Sequence, residues 1–257
     1  MSIISQLQEL VKYQDHKMNI LVTGVSKGLG LNITKVLINN NHVVFGVSRT
    51  MSEELKNLID SYPAQIKWLK FNLSDVNSVR NTIFKNWLGT KLPLDGFVNN
   101  AAVAYDDIVT NLNIDPLIYM YHVNVFTPMM ITKYAIRQML LHNIKGSIVH
   151  LSSISVHTGY KGLAMYASSK GALEAFSKNT AREWGEKGIR SNCLVAGFME
   201  TEMSSSLSFD QKNRIYNRTS LKLPVKVESV AETICFLLTE KASSLTGQNI
   251  HVDSGTI

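Results

Sequence analysis

The chain has 257 residues, 45% of them hydrophobic and 18% charged, the make-up of an ordinary globular protein of one large domain or two small ones. It holds no run of about 18 apolar residues to span a membrane, and its N-terminus lacks the basic start, apolar middle and cleavage site of a secretory signal, so a cytoplasmic location is expected. The net charge of +6 comes from scattered lysines and arginines; it argues against nucleic acid and reads as a solvated surface or, less simply, as a rim attracting an acidic substrate carrier.

Residues 1–17 precede the first strand; Ile3, Ile4, Leu7, Leu10 and Val11 fall at helical spacing there, which predicts a short docking helix in an N-terminal extension. From residue 18 onward, short apolar runs alternate with amphipathic stretches. Strands are expected at 19–23, 43–47, 66–71, 94–98, 147–151, 189–195 and 248–252. Helices are expected near 28–39, 52–60, 75–88, 113–142, 165–187, 202–217 and 227–239. This alternation, with no linker or repeat, predicts a single doubly wound Rossmann-type α/β domain over 18–257, a seven-stranded parallel sheet with helices on both faces. The polar stretch 198–222 follows a strand's C-terminal end, where a substrate lid would sit.

The first strand runs into Thr23-Gly24-Val25-Ser26-Lys27-Gly28-Leu29-Gly30 and then a helix. Glycines in such a turn permit positive φ and close approach of a pyrophosphate to backbone N–H groups at the helix's positive end. Their spacing, Gly-x3-Gly-x-Gly, differs from the commoner dinucleotide pattern, and position after the first strand is what gives it weight. The second strand ends Val47-Ser48-Arg49-Thr50, with no acid to bond a ribose 2′-hydroxyl before Glu53. Arg49 and Lys27 can instead flank a 2′-phosphate, so NADP(H) is favoured over NAD(H), the simpler alternative being a solvated Arg49.

Tyr166 and Lys170 lie four apart on an expected helix, hence on one face, where an ammonium favours the phenolate and lowers its pKa. The pair alone is weak evidence, since Tyr13 and Lys17 repeat the spacing in the extension. Company separates the two. Ser153, at the end of the fifth strand, offers a hydroxyl that can share a carbonyl oxygen with the Tyr166 phenol, and Asn124, flanked by Val123 and Val125, is a mid-helix amide that needs a partner. Metal chemistry finds little support: His142, His150 and His157 lack i, i+4 spacing, and Cys193 and Cys235 stand alone, most simply as buried thiols. No Gly-x-Ser-x-Gly elbow surrounds Ser152 or Ser153.

With these residues in place the chain resembles the short-chain dehydrogenase/reductases over about 18–257, and within them the 3-oxoacyl-(acyl-carrier-protein) reductases, echoed by NTAREWGEKGIRSNCLVAGFMETEM and LTGQNIHVDSG. The resemblance implies catalysis by Asn124, Ser153, Tyr166 and Lys170: Tyr166 protonating a ketone oxygen, Ser153 bonding it, Lys170 holding the nicotinamide ribose, and Asn124 anchoring a water in the proton relay. It further implies cofactor contacts from Gly24, Ser26, Lys27, Gly28, Leu29, Gly30 and Arg49, from Asn72 and Leu73 at the adenine, and from Asn99 and Ala101 at the adenosine ribose. Gly197, Met199 and Thr201 would complete the nicotinamide end, and Lys187 would face an acidic carrier. A homotetramer, pairing the two long helices and the last strand across two-fold axes, belongs to the same expectation. The sequence departs from the family pattern at Asn72 (usually Asp), at Ala102 (usually Gly) and at Ala196-Gly197 (usually Pro-Gly), which puts the housekeeping fatty-acid role in doubt without removing a catalytic group.

Three functions compete. The first is NADPH-dependent reduction of a 3-oxoacyl thioester, and the second an oxidoreductase of a sugar, polyol or other small ketone. The third, a dinucleotide-binding regulator without turnover, is disfavoured by an intact Asn124, Ser153, Tyr166 and Lys170.

Overall fold

A computed structural model describes residues 17–200 and 208–256. The docking helix expected in the N-terminal extension and the first part of the helix expected at 202–217 fall outside them. Among the described residues, seven strands form one parallel sheet in the order β3-β2-β1-β4-β5-β6-β7, as expected. They are β1 (Asn19–Thr23), β2 (Val43–Ser48), β3 (Ile66–Lys70), β4 (Gly96–Asn99), β5 (Ser147–Ser153), β6 (Arg190–Ala196) and β7 (Asn249–Val252). The helices are α1 (Gly28–Asn39), α2 (Glu53–Ser61), α3 (Ile114–Tyr121), α4 (Thr127–Leu141), α5 (Ala164–Trp184), α6 (Phe209–Tyr216) and α7 (Val227–Leu238).

Period-2 alternation along the strands feeds two separate cores. On β1, Ile20 and Val22 pack with Leu31 and Leu37 of α1 and Val230 and Ile234 of α7. Leu21, between them, points to the other face, against Phe97, Ile148, and Ile131 and Met139 of α4. Apolar demand on both faces is why the central strands read as unbroken apolar runs.

The helix expected over 113–142 is divided. Asn113 caps α3, its side chain accepting from the Asp115 N–H at 3.1 Å. A π-helical turn, His122–Phe126, then separates α3 from α4, with the Thr127 N–H donating to the His122 carbonyl. The cause is Pro128: it has no N–H to give the Asn124 carbonyl four residues back, so the α pattern cannot run through. The segment expected as helix at 75–88 is likewise π-helical over Val79–Leu88.

The chain leaves β3 at one edge and re-enters as β4 beside β1, so the connections after β1 and β4 run to opposite sides. Such a switch point opens a crevice at the strands' C-terminal ends. Thr23 ties its two walls together: its hydroxyl accepts from the N–H groups of Asn100 and Ala101, both at 3.1 Å, and its carbonyl accepts from Asn100 Nδ2 at 2.9 Å.

Candidate active site

The crevice is a cleft of ≈ 410 Å³ running from the β1–α1 turn to α5, within the range of small-molecule and cofactor sites. One end is lined by Gly24, Ser26, Lys27, Gly28, Leu29 and Gly30, with Arg49, Asn72 and Leu73 beside them. Ala101 and Met199 line its length, and Tyr166 and Lys170 its other end.

At the glycine end the surface is shaped by what is missing. A Cβ on Gly30 would sit 2.0 Å from the Gly24 carbonyl oxygen, and Gly24 itself has φ 77° with Asn100 and Ala101 pressed against it. At Gly28 nothing lies within 4 Å of a built Cβ, and glycine there serves φ 56°. The N-terminus of α1 thus opens onto the cleft without side-chain obstruction, the arrangement a pyrophosphate requires. Arg49 is exposed and its Nη1 donates to the Tyr119 hydroxyl at 3.0 Å, so the residue after β2 meets α3 at this end of the cleft.

At the other end Lys170 is buried, and its Nζ donates to the Leu151 carbonyl at 2.7 Å and lies 5.8 Å from the Tyr166 ring centroid. Burial pulls its pKa down to about 8. The Tyr166 phenol is pushed the opposite way from expectation, up to about 12, by burial and then by the Asp106 carboxylate; the hydrogen bond to Ser153 acts against them. Burial penalises the charged phenolate, and the Asp106 carboxylate adds to that penalty. Ser153 Oγ accepts from the Ser155 N–H at 3.2 Å and from the Ser155 hydroxyl at 3.0 Å.

Asn124 is buried and fully committed: Oδ1 accepts from the Val103 N–H at 2.9 Å, and Nδ2 donates to the Val103 carbonyl at 2.8 Å and Ser169 Oγ at 3.1 Å. Ser169 Oγ in turn donates to the Tyr166 carbonyl at 2.7 Å. The side chain therefore fixes the loop after β4 to α5. Pro128 has no N–H to offer the Asn124 carbonyl.

Two residues expected at the cofactor lie outside the cleft lining. Asn99 is buried at 1% exposure, with Nδ2 3.4 Å from His150 Nδ1, and does not line the cleft; Asn100, one residue past the strand, lines it instead. Gly197 is likewise absent from the lining: a Cβ there would lie 2.6 Å from the Asp253 Cα, so this glycine serves close packing under β7. Thr201 lies outside the described residues. Lys187 is exposed in the short turn after α5. Missed by sequence reasoning were Thr23, Asn100, Tyr119, Asp106 and Glu174. Asn100 had a signal, since of two consecutive asparagines at a strand end only one can face the cleft. Glu174 had one in its spacing, four residues after Lys170 as Lys170 is after Tyr166; Tyr119 had none short of the fold.

Among the described residues no group of three His, Cys, Asp or Glu side chains is arranged to hold a metal, and no helix is long and apolar enough to cross a membrane.

Residues 24–256 match the family model described as enoyl-(acyl carrier protein) reductase. The chain is 31% identical over 235 residues to the 3-oxoacyl-(acyl-carrier-protein) reductase of Salmonella typhimurium, covering 91% of this chain and 95% of that one. It is 32% identical over 237 residues to carbonyl reductase (NADPH) 2 of Sus scrofa, covering 91% and 94%. Its fold matches a gluconate 5-dehydrogenase from Burkholderia cenocepacia, solved with NADP and tartrate, at a TM-score of 0.88 and 21% identity over 96% of this chain and 98% of that one.

Proposed function

The chain belongs to the short-chain dehydrogenase/reductase family and is an oxidoreductase, and from that premise we propose that it reduces a 3-oxoacyl thioester to the 3-hydroxyacyl product with NADPH. The observation that carries the reading is one continuous cleft joining the Gly24–Gly30 turn to Tyr166 and Lys170. The bare glycine turn and the open α1 N-terminus fit a dinucleotide's pyrophosphate, and Arg49 and Lys27 fit a 2′-phosphate beside it.

When bound there, the reduced nicotinamide supplies the hydride to the substrate carbonyl carbon. Tyr166 gives its phenolic proton to the carbonyl oxygen. A phenol held at about 12 is protonated at neutral pH and so has a proton to give. Ser153 donates a hydrogen bond to the same oxygen as negative charge grows on it. The Lys170 ammonium holds the cofactor ribose and offsets the phenolate left behind. The Asn124 carbonyl holds the water through which Lys170 and Tyr166 are reprotonated.

Acyl substrates suit the segment that follows β6, where Phe209, Leu221 and Leu223 are 77%, 66% and 57% exposed and available to an alkyl chain. Lys187 offers a cation to an acyl carrier protein. A second reading, a small ketone of another kind, rests on the pig carbonyl reductase, whose identity equals that of the bacterial enzyme to within a percentage point; sugars and polyols fall under the same alternative. The exposed Ile114, Ile118 and Phe126 on and after α3 support assembly as a homotetramer through the α3–α4 and α5 faces, which a monomeric mass by light scattering would overturn.

The deciding experiment follows reduced-nicotinamide absorbance with an acetoacetyl thioester and NADPH or NADH. Turnover with NADPH is the expected result. Tight NADPH binding without turnover would move the substrate to other ketones, and preference for NADH would overturn the phosphate assignment.

A further inference from the structure

Helix α5 presents a third member of the stripe that carries Tyr166 and Lys170. Glu174 follows Lys170 by four residues, as Lys170 follows Tyr166, so all three lie on one face. It is only 8% exposed. A carboxylate removed from water costs stability unless donors surround it, and here they come from three other parts of the chain. The Ser152 hydroxyl donates to Oε1; His157 Nε2 lies 3.1 Å from the same oxygen and, facing an acceptor, carries its hydrogen; Asn249 Nδ2 donates to Oε2 at 2.6 Å.

The register of these contacts is the telling feature. Lys170 holds the carbonyl of Leu151 and Glu174 the hydroxyl of Ser152, so α5 grips two consecutive residues of β5. The next residue is Ser153, the last of the strand. Just beyond it, the turn Ile154–Val156 leads into His157, which is held by the same carboxylate. Ser153 is therefore bracketed by Glu174 on both sides along the chain, and through Asn249 the bracket is braced on β7.

We propose that Glu174 is the positioning residue of this site, holding the end of β5 on α5 so that the Ser153 hydroxyl stays aimed at the carbonyl oxygen shared with Tyr166. This rests on the reading of Ser153 and Tyr166 as catalytic, and not on the identity of the substrate. Glu174 does not line the cleft. It acts through Ser152 and His157.

The test compares Glu174→Leu with Glu174→Gln. The leucine variant keeps the volume and loses every bond; it is expected to lower kcat about 10- to 100-fold, the scale of a misplacement near 1 Å, with the KM for NADPH within threefold of wild type. Glutamine retains an acceptor oxygen and should recover part of that loss. Hydrogen exchange of backbone amides at 153–158 should quicken at least tenfold in Glu174→Leu while β1 and β2 stay protected, a pattern that general destabilisation does not give. Unchanged kcat and exchange, exchange rising equally across the sheet, or a glutamine variant no better than leucine would each overturn the proposal. Ser152→Ala, which removes only the strand-side bond, gives the same readouts in milder form if the leucine variant does not fold. Turnover is followed with the acetoacetyl thioester and with an aromatic diketone. A wild type that reduces only the diketone would sink the acyl-thioester reading and leave Glu174 testable, and the exchange measurement needs no substrate at all.

Discussion

At the β1–α1 end of the cleft the floor is main chain: three glycines, a helix N-terminus and the Thr23–Asn100 tie. At the β5–α5 end it is side chain, and expensive side chain, since Lys170, Asn124 and Glu174 are all buried. The first end works by being empty and can tolerate little added volume. The second works by holding groups where carrying charge is costly: the lysine is pulled down to about 8 and the tyrosine pushed up to about 12. A recognition surface can be made by subtraction, whereas an acid must be built and retained against the cost of burial.

Five substitutions sharpen that contrast. Tyr166→Phe keeps the packing and removes the proton; kcat should fall roughly 10²- to 10⁴-fold with NADPH affinity unchanged by fluorescence titration, and a fall of less than tenfold would mean the proton comes from elsewhere. Arg49→Gln acts at the other end, raising the KM for NADPH about 10- to 100-fold through one lost charge-assisted bond while leaving NADH kinetics alone; equal effects on both cofactors would break the assignment.

Lys170→Met should abolish turnover yet leave the fold at least as stable at pH 7. The sign follows from the lowered pKa: the ammonium costs the folded state its full penalty below pH 8, and that penalty fades as the pH rises through 8 toward the ordinary 10.5. The methionine variant's advantage in chemical denaturation should therefore shrink over that window by up to about 3 kcal/mol. An advantage independent of pH would show that Lys170 is not the titrating group. Gly30→Ala acts on stability, costing about 1–3 kcal/mol from a Cβ driven into the Gly24 carbonyl, seen as a lower Tm. Gly28→Ala, which meets no atom within 4 Å, should lose only the strain of its φ of 56°, and a Gly28 effect larger than Gly30's would reverse the packing explanation.

Much of this was legible in the residues. Apolar runs and amphipathic stretches placed the strands to within a few residues, because strands buried on both faces leave no room for polar interruption. The long helix at 113–142 was legible in extent but not in its break at Asn124, where Pro128 withdraws a donor, a signal present in the sequence and unread. The choice between Asn99 and Asn100 needed the strand's end: the two side chains leave the backbone in opposite directions, and only coordinates say which direction is the cleft.

The sequence by itself determined the sheet, the glycine turn and the Tyr166–Lys170 pair, because these follow from local periodicity, backbone sterics and spacing along one helix. Tertiary structure alone decided the tyrosine's protonation, the Arg49–Tyr119 bridge and the convergence of Ser152, His157 and Asn249 on Glu174. Those depend on desolvation and on contacts between residues as much as 75 positions apart, and neither burial nor long-range approach is written in any local stretch of the chain.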